Sequence, residues 1–215
     1  MSADPAQLER VIDAKTFAVA ARASAAQMAD LERFRGLLGD WNQRMNLVSA
    51  ASLAEFWPRH AWDSAQLLRL EPGARSWADI GAGAGFPGLV LAILLKAEAR
   101  AEIHLVESQA KRCRFLAAVV EALQLPTIVH NARAEDLAPT VEIVTARAVA
   151  PLTRLLGFAR PMLDKGARGL FLKGRDATTE IAEARKAWRF SLETVPSLSD
   201  PEGRILKVRG LARVR

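Results

Sequence analysis

The chain is poor in the side chains from which disulfides and metal centres are built. Its 215 residues include one cysteine, Cys113, and three histidines. A single thiol closes no internal disulfide, and with the histidines it leaves a four-ligand zinc site incomplete unless carboxylates join, so a metal-free protein in a reducing, cytoplasmic setting is expected. Long apolar runs are also missing: the longest, residues 89–95, stops at Lys96, far short of the ~20 residues that cross a bilayer, so no membrane association is expected. Residues 1–10 carry Asp4, Glu9 and Arg10 with no apolar stretch behind them, and neither a secretory signal nor a transit peptide is read there. What remains is ordinary for a folded globular chain, 50% hydrophobic and 25% charged. The formal charge of +6 favours a polyanionic partner, against the plainer alternative of a basic but unengaged surface.

From Pro5 to about Leu70 the pattern is helical. Leu31, Phe34, Leu37, Leu38 and Trp41 recur at steps of three and four, as one buried face requires. The turn signal Glu71-Pro72-Gly73 then divides a helical cap, residues 1–72, from a second domain, residues 73–215. In the second domain strands are expected over 76–80, 101–106, 127–130, 142–145 and 168–172. Helices are expected over 87–96, 109–124, 151–162 and 178–187. That alternation implies an α/β fold, a doubly wound, Rossmann-like parallel sheet. Strand signals over 190–195 and 204–209, joined by the turn-rich stretch 199–203, add an antiparallel C-terminal hairpin at the sheet end.

The stretch Asp79-Ile80-Gly81-Ala82-Gly83-Ala84-Gly85-Phe86-Pro87-Gly88 lies between the first strand and its helix. Glycines at alternate positions admit a ligand close to the backbone at the carboxyl edge of the sheet, so Gly81, Gly83 and Gly85 are expected to bind a nucleotide-like cofactor. Gly83, Gly85 and Gly88 also satisfy the dinucleotide pattern G-x-G-x-x-G, with Glu107 about 20 residues on. Asp79 argues against a pyrophosphate and suits a cationic amino-acid ligand such as S-adenosylmethionine. Glu107, at the end of the second strand, takes ribose hydroxyls in either case. Glu135 and Asp136 are placed to approach an adenine amino group.

Methyl transfer from a sulfonium is a direct displacement in which the enzyme chiefly positions its reactants. After the fourth strand the sequence reads Val144-Thr145-Ala146-Arg147-Ala148. It has no Asp-Pro-Pro-aromatic motif for amino methylation, and Cys113 reads as a buried core thiol, not a nucleophile. No catalytic residue is assigned: a ring nitrogen such as guanine N7 loses no proton on methylation and needs no base. Arg147 is expected to bind phosphate, or to pair with Asp79 or Glu107 and shape the cofactor pocket. A surface ion pair is its plainer alternative.

Motifs spanning most of the chain resemble those of the RsmG (GidB) family of bacterial 16S rRNA guanine-N7 methyltransferases. They are Trp41-Asn42-Gln43-Arg44-Met45-Asn46-Leu47, Arg59-His60-Ala61-Trp62-Asp63-Ser64, the loop from Asp79 to Gly88, Glu107-Ser108 with Lys111-Arg112 and Phe115-Leu116, Arg133-Ala134-Glu135, Ala146-Arg147-Ala148 and Leu172-Lys173-Gly174. The resemblance implies a class I methyltransferase fold, S-adenosylmethionine as cofactor, and transfer to N7 of a guanine in the 530 loop of 16S rRNA, free or in the 30S subunit, by a monomer. It also implies that Gly81 and Phe86 line the cofactor pocket, that Ala134 and Glu135 meet the adenine, and that Arg147 completes the site. Phe86 replaces a leucine of some members. Ala82 and Ala146 stand where many relatives place Ser or Thr. His60 and Asp63, three apart on one probable helix face, are expected chiefly to pack against the sheet. His60, Arg147 and Lys173 are the candidate RNA contacts. The basic tail Arg204, Lys207, Arg209, Arg213 and Arg215 either engages phosphates or keeps an edge strand soluble. A methyltransferase acting on a small molecule or protein, a cofactor-sensing RNA binder without catalysis, and a dinucleotide oxidoreductase are the rival readings.

Overall fold

In the computed structural model, residues 11–214 are described. The expectations placed on residues 1–10 and on Arg215 lie outside them. Four helices come first. α1 (Ala14–Ala21) is capped by Asp13, whose Oδ1 accepts from the Thr16 amide at 2.8 Å. α2 (Ala25–Met45) is capped by Ser24 with Gln27 in the reciprocal arrangement. Of the apolar stripe read from sequence, Leu31, Phe34 and Leu38 are buried. After α3 (Ala50–Ala54) the chain forms a π-helical turn, Phe56–Trp62, before α4 (Asp63–Leu70). Such turns widen the helix locally and re-aim side chains, and this one buries Phe56, Trp57, His60 and Trp62.

The strands are β1 (Ser76–Ile80), β2 (Glu102–Glu107), β3 (Thr127–Asn131), β4 (Ile143–Arg147), β5 (Arg168–Lys173), β6 (Trp188–Pro196) and β7 (Arg204–Arg213). The helices are α5 (Gly88–Leu94), α6 (Ala110–Leu123), α7 (Leu152–Leu163) and α8 (Ala177–Ala187). One sheet has the order β3-β2-β1-β4-β5-β7-β6. Its first five strands are parallel, and β7 pairs antiparallel with both β5 and β6. The doubly wound sheet and its terminal hairpin follow the sequence reading.

Strand alternation assigns the faces. Trp77, Ile103, Leu105, Ile143, Leu170 and Leu172 share one core with Phe17, Leu31, Phe34, Phe56 and Leu67 of the first four helices. Ala78, Ile80, Val106, Val144, Ala146 and Phe171 pack on the other side with Leu152, Leu155, Leu156 and Ala184 of α7 and α8. The segment ahead of β1 therefore has no separate core; it covers one face of the sheet. β4 ends later than the sequence suggested, at Arg147. Residues 143, 145 and 147 have one parity, so Arg147 emerges at the carboxyl tip of the sheet on the face that the leading helices cover.

Candidate active site

The strand order reverses between β1 and β4, where an open α/β sheet leaves a crevice at its carboxyl edge. The glycine loop fills the start of that crevice. Gly81, Gly83 and Gly85 have φ of +67°, +53° and +88°. At Gly81 a Cβ would lie 2.7 Å from Val149 Cγ2, and at Gly85 one would collide with Leu89, 2.7 Å from its Cγ. The backbone follows this path because there are no side chains.

Asp79 is fully buried, and its Oδ2 accepts from the Gly88 amide at the start of α5 at 2.8 Å. Its Oδ1 is buried without a partner. Burial pushes the carboxyl up to about 7, opposed by the Gly88 amide. Glu107 is also buried, with both oxygens on backbone: Oε2 accepts from the Gly83 amide at 3.0 Å and Oε1 from the Gln109 amide at 2.8 Å. These bonds fix the carboxylate beside the loop and leave each oxygen one lone pair for a hydroxyl. Ala134 is buried in a 3-10 turn (Ala134–Asp136) and packs in the core beneath α7. Glu135 beside it is more open, 3.9 Å from Arg133.

Arg147 does not pair with Asp79 or Glu107, as the sequence suggested; it turns to the leading helices. Nη1 donates to Asp63 Oδ2 at 3.2 Å and to the Arg59 carbonyl at 3.0 Å, and Nη2 donates to His60 Nδ1 at 2.8 Å. Glu107's carboxylate is tied to backbone amides and one Asp79 oxygen is held under α5, while Asp63 and His60 lie on Arg147's own face. The guanidinium carbon is 5.0 Å from the centre of the Phe86 ring. Phe86 itself is 4% exposed, wedged against Phe34 and His60.

His60 takes the packing role. A guanidinium only donates, so Nδ1 is the acceptor and Nε2 carries the proton, which it donates to Ser52 Oγ at 2.6 Å. Burial, with Arg147 and Arg59 nearby, lowers its pKa to about 3. Both ring nitrogens are engaged within the protein, so His60 presents no free edge to an RNA. Lys173 donates to the Ala150 carbonyl at 2.6 Å and to Glu180 Oε2 at 2.7 Å, which leaves one of its three N–H groups toward the cavity it lines. Cys113 is buried and donates to the Glu107 carbonyl.

Gln66, Glu180 and Ser199 were passed over in the sequence. Ser199 Oγ donates to Asp63 Oδ1 at 2.7 Å, and Gln66 bridges Asp63 to Ser197 and to the Leu198 amide. The β6–β7 turn is thus fastened to the same helix face as Arg147. No local signal in the sequence joins positions so distant. Two cavities flank Arg147, about 460 Å³ and about 730 Å³, and both are lined by Asp63, Arg147, Ala148 and Asp200. Among the described residues no three His, Cys, Asp or Glu side chains are grouped to hold a metal ion, and no helix is long and apolar enough to cross a membrane.

Residues 27–206 match the family model GidB, rRNA small subunit methyltransferase G. The chain belongs to this family. It is 59% identical over 207 residues to ribosomal RNA small subunit methyltransferase G of Caulobacter vibrioides, covering 96% of each chain. To the protein of the same name in Parvibaculum lavamentivorans it is 45% identical over 206 residues, covering 94% of this chain and 91% of the relative. Among solved structures it resembles an O-methyltransferase from Bacillus cereus in complex with SAH, with a TM-score of 0.57 at 14% identity, covering 85% of this chain and 91% of that one. A putative O-methyltransferase from Klebsiella pneumoniae gives 0.56 at 12%, covering 84% and 90%. At such identities the structures establish the fold, that of a class I methyltransferase, and the family supplies the activity class.

This GidB-family site fits a cationic methyl donor on its own evidence. The glycine loop is bare backbone with space beside Gly83, where an added Cβ would meet nothing closer than 3.6 Å, Glu107 presents acceptors at the tip of β2, and the orphaned Asp79 Oδ1 is a buried acceptor that a positive group would satisfy.

Proposed function

We propose that this GidB-family protein methylates N7 of a guanine in the 530 loop of 16S rRNA, free or in the 30S subunit, acting in the cytoplasm as a monomer. S-adenosylmethionine supplies a methyl carbon activated by a positively charged sulfur. Gly81, Gly83 and Gly85 give the donor access to backbone, Glu107 accepts from its ribose, and Asp79 offers a negative partner to its cationic end. Ala134 and Glu135 follow β3, in position to meet the adenine, and Phe86 braces the loop against the leading helices. Arg147 borders both cavities beside the loop, where its guanidinium serves a phosphate or the base.

One observation carries the choice of N7. Of the ionisable groups beside the glycine loop, Glu107 is held by two amides, Asp63 by Arg147 and Ser199, and His60 is neutral with both nitrogens bonded, while Asp79, bonded to Gly88 through one oxygen, keeps the other for the donor's cationic end. A lone-pair nucleophile that sheds no proton suits a site whose bases are so occupied. The +6 charge agrees with a phosphate-rich substrate.

The experiment is incubation with S-adenosylmethionine carrying a tritiated methyl group and undermethylated 30S subunits or 16S rRNA. Label is expected in rRNA as N7-methylguanosine, lost in Arg147→Ala and falling steeply with salt. Label confined to a small-molecule or protein fraction, or none in rRNA, overturns the reading.

A further inference from the structure

The two cavities beside Arg147 differ in their relation to the glycine loop. The 460 Å³ cavity is lined by Val149, the side chain that a Cβ at Gly81 would strike at 2.7 Å. Val149 therefore stands between this cavity and Gly81, one side chain from the loop, and the cavity's volume lies within the ~300–1,000 Å³ typical of sites for small ligands. From there it extends across the tips of β4 and β5 to Lys173 and Glu180.

Glu180 on α8 is a built acceptor. Its Oε2 is filled, accepting from the Leu152 amide at the start of α7 at 2.6 Å and from Lys173 Nζ at 2.7 Å. Those two bonds fix the carboxylate's orientation, and the lysine balances its charge. Among the described residues nothing donates to Oε1, although Glu180 lines the cavity. A fixed, charge-balanced carboxylate with one oxygen free is suited to hydrogen-bond donors of a ligand, and poorly suited to another acceptor.

Guanine places N7 and its donors on opposite sides of the base. N1–H and the N2 amine form one edge, and N7 lies on the other. With N7 turned toward the glycine loop, the donor edge turns toward β5 and α8. Adenine has no donor at those two positions, its only amine being at C6, and its N1 lone pair would face the carboxylate. We propose that Glu180 is the specificity residue for the target base, its Oε1 accepting from the N1–H and N2 amine of guanine in this cavity. The proposal rests on the rRNA reading above and deepens it.

The test compares 30S subunits whose 16S rRNA carries guanine or inosine at the position the wild-type enzyme methylates. Inosine keeps N7 and N1–H and lacks only the N2 amine. Wild type is expected to favour guanine by at least about tenfold in kcat/KM, because a site built around a donor rejects the analogue without it. In Glu180→Gln that ratio should collapse to within about threefold, mainly by loss on guanine, while calorimetric affinity for S-adenosylmethionine stays within about twofold. Equal loss on both substrates would mean that Glu180 only supports α7 and Lys173, and overturns the proposal. If Glu180→Gln fails to fold, the wild-type ratio decides: a value near one overturns it as well. A wild type that methylates neither substrate fails the rRNA reading itself, so the two failures are distinguishable.

Discussion

His60 lies flat on Phe86, with ring centroids 4.4 Å apart and planes 13° from parallel. One residue belongs to the π-helical turn and the other to the glycine loop, and Arg147 from β4 is bonded to the first and positioned over the second. Three segments that meet only in the folded protein therefore share a single stack, and the wall of the proposed cofactor site is held in place by a helix outside it.

Breaking the stack should cost more than the area of one ring. His60→Ala removes a buried aromatic and an acceptor of Arg147, and a loss of about 2–4 kcal/mol is expected. His60→Phe keeps the stack and forfeits the two ring hydrogen bonds, to Arg147 and to Ser52, so about 1–2 kcal/mol should be lost. Urea titrations of the two variants and wild type measure both numbers. Equal losses would show that the ring contact contributes nothing.

The acid response should contain two opposed contributions. His60 titrates near 3 in the folded chain against an ordinary 6.5. The unfolded state therefore takes up the extra proton between those values, and this contribution is full above 6.5 and lost as pH falls. Asp79 titrates near 7 against an ordinary 3.8, so its contribution is full below 3.8 and lost as pH rises toward 7. Between pH 4 and 6.5 the two offset. His60→Phe should leave stability falling with pH, and Asp79→Asn should leave it rising, each by up to about 1.4 kcal/mol per pH unit. Urea midpoints across that range, taken at several pH values, supply the slopes.

Ligand binding should draw a proton off Asp79. A positive group beside the orphaned Oδ1 favours the charged carboxylate, so affinity for S-adenosylmethionine should rise from pH 6 to pH 8, by no more than about tenfold per pH unit. Titration calorimetry in buffers of different ionisation enthalpy reads the released proton directly. In Asp79→Asn the release should vanish and affinity should fall.

The glycines of the loop should differ in their tolerance of a methyl group. Gly83 has φ of +53° and no neighbour closer than 3.6 Å to an added Cβ, so Gly83→Ala should lose only about 1–2 kcal/mol, the left-handed cost. Gly85 has φ of +88°, and an added Cβ would lie 3.2 Å from Leu89 Cβ and 2.7 Å from its Cγ. Gly85→Ala should therefore lose a further ~1–3 kcal/mol through overpacking. Thermal unfolding of the two variants ranks them, and a milder Gly85→Ala would contradict the packing argument.

The sequence by itself determined the sheet. Runs such as Trp77-Ala78-Asp79-Ile80 and Ile143-Val144-Thr145-Ala146, each followed by a helical period, allow few arrangements, because a strand buried on both faces is apolar at most positions and its crossover helix must return to the same edge. The glycine loop was equally legible, since its unusual backbone leaves its mark on composition. Tertiary structure decided the partners of the charged groups. Arg147 pairs with Asp63 and His60, 84 and 87 positions away, and Asp63 with Ser199, 136 away. Such pairings depend on which face a side chain leaves and on which carboxylates are already satisfied by backbone amides. Local propensity records neither, because hydrogen bonds between distant residues impose no period on the chain.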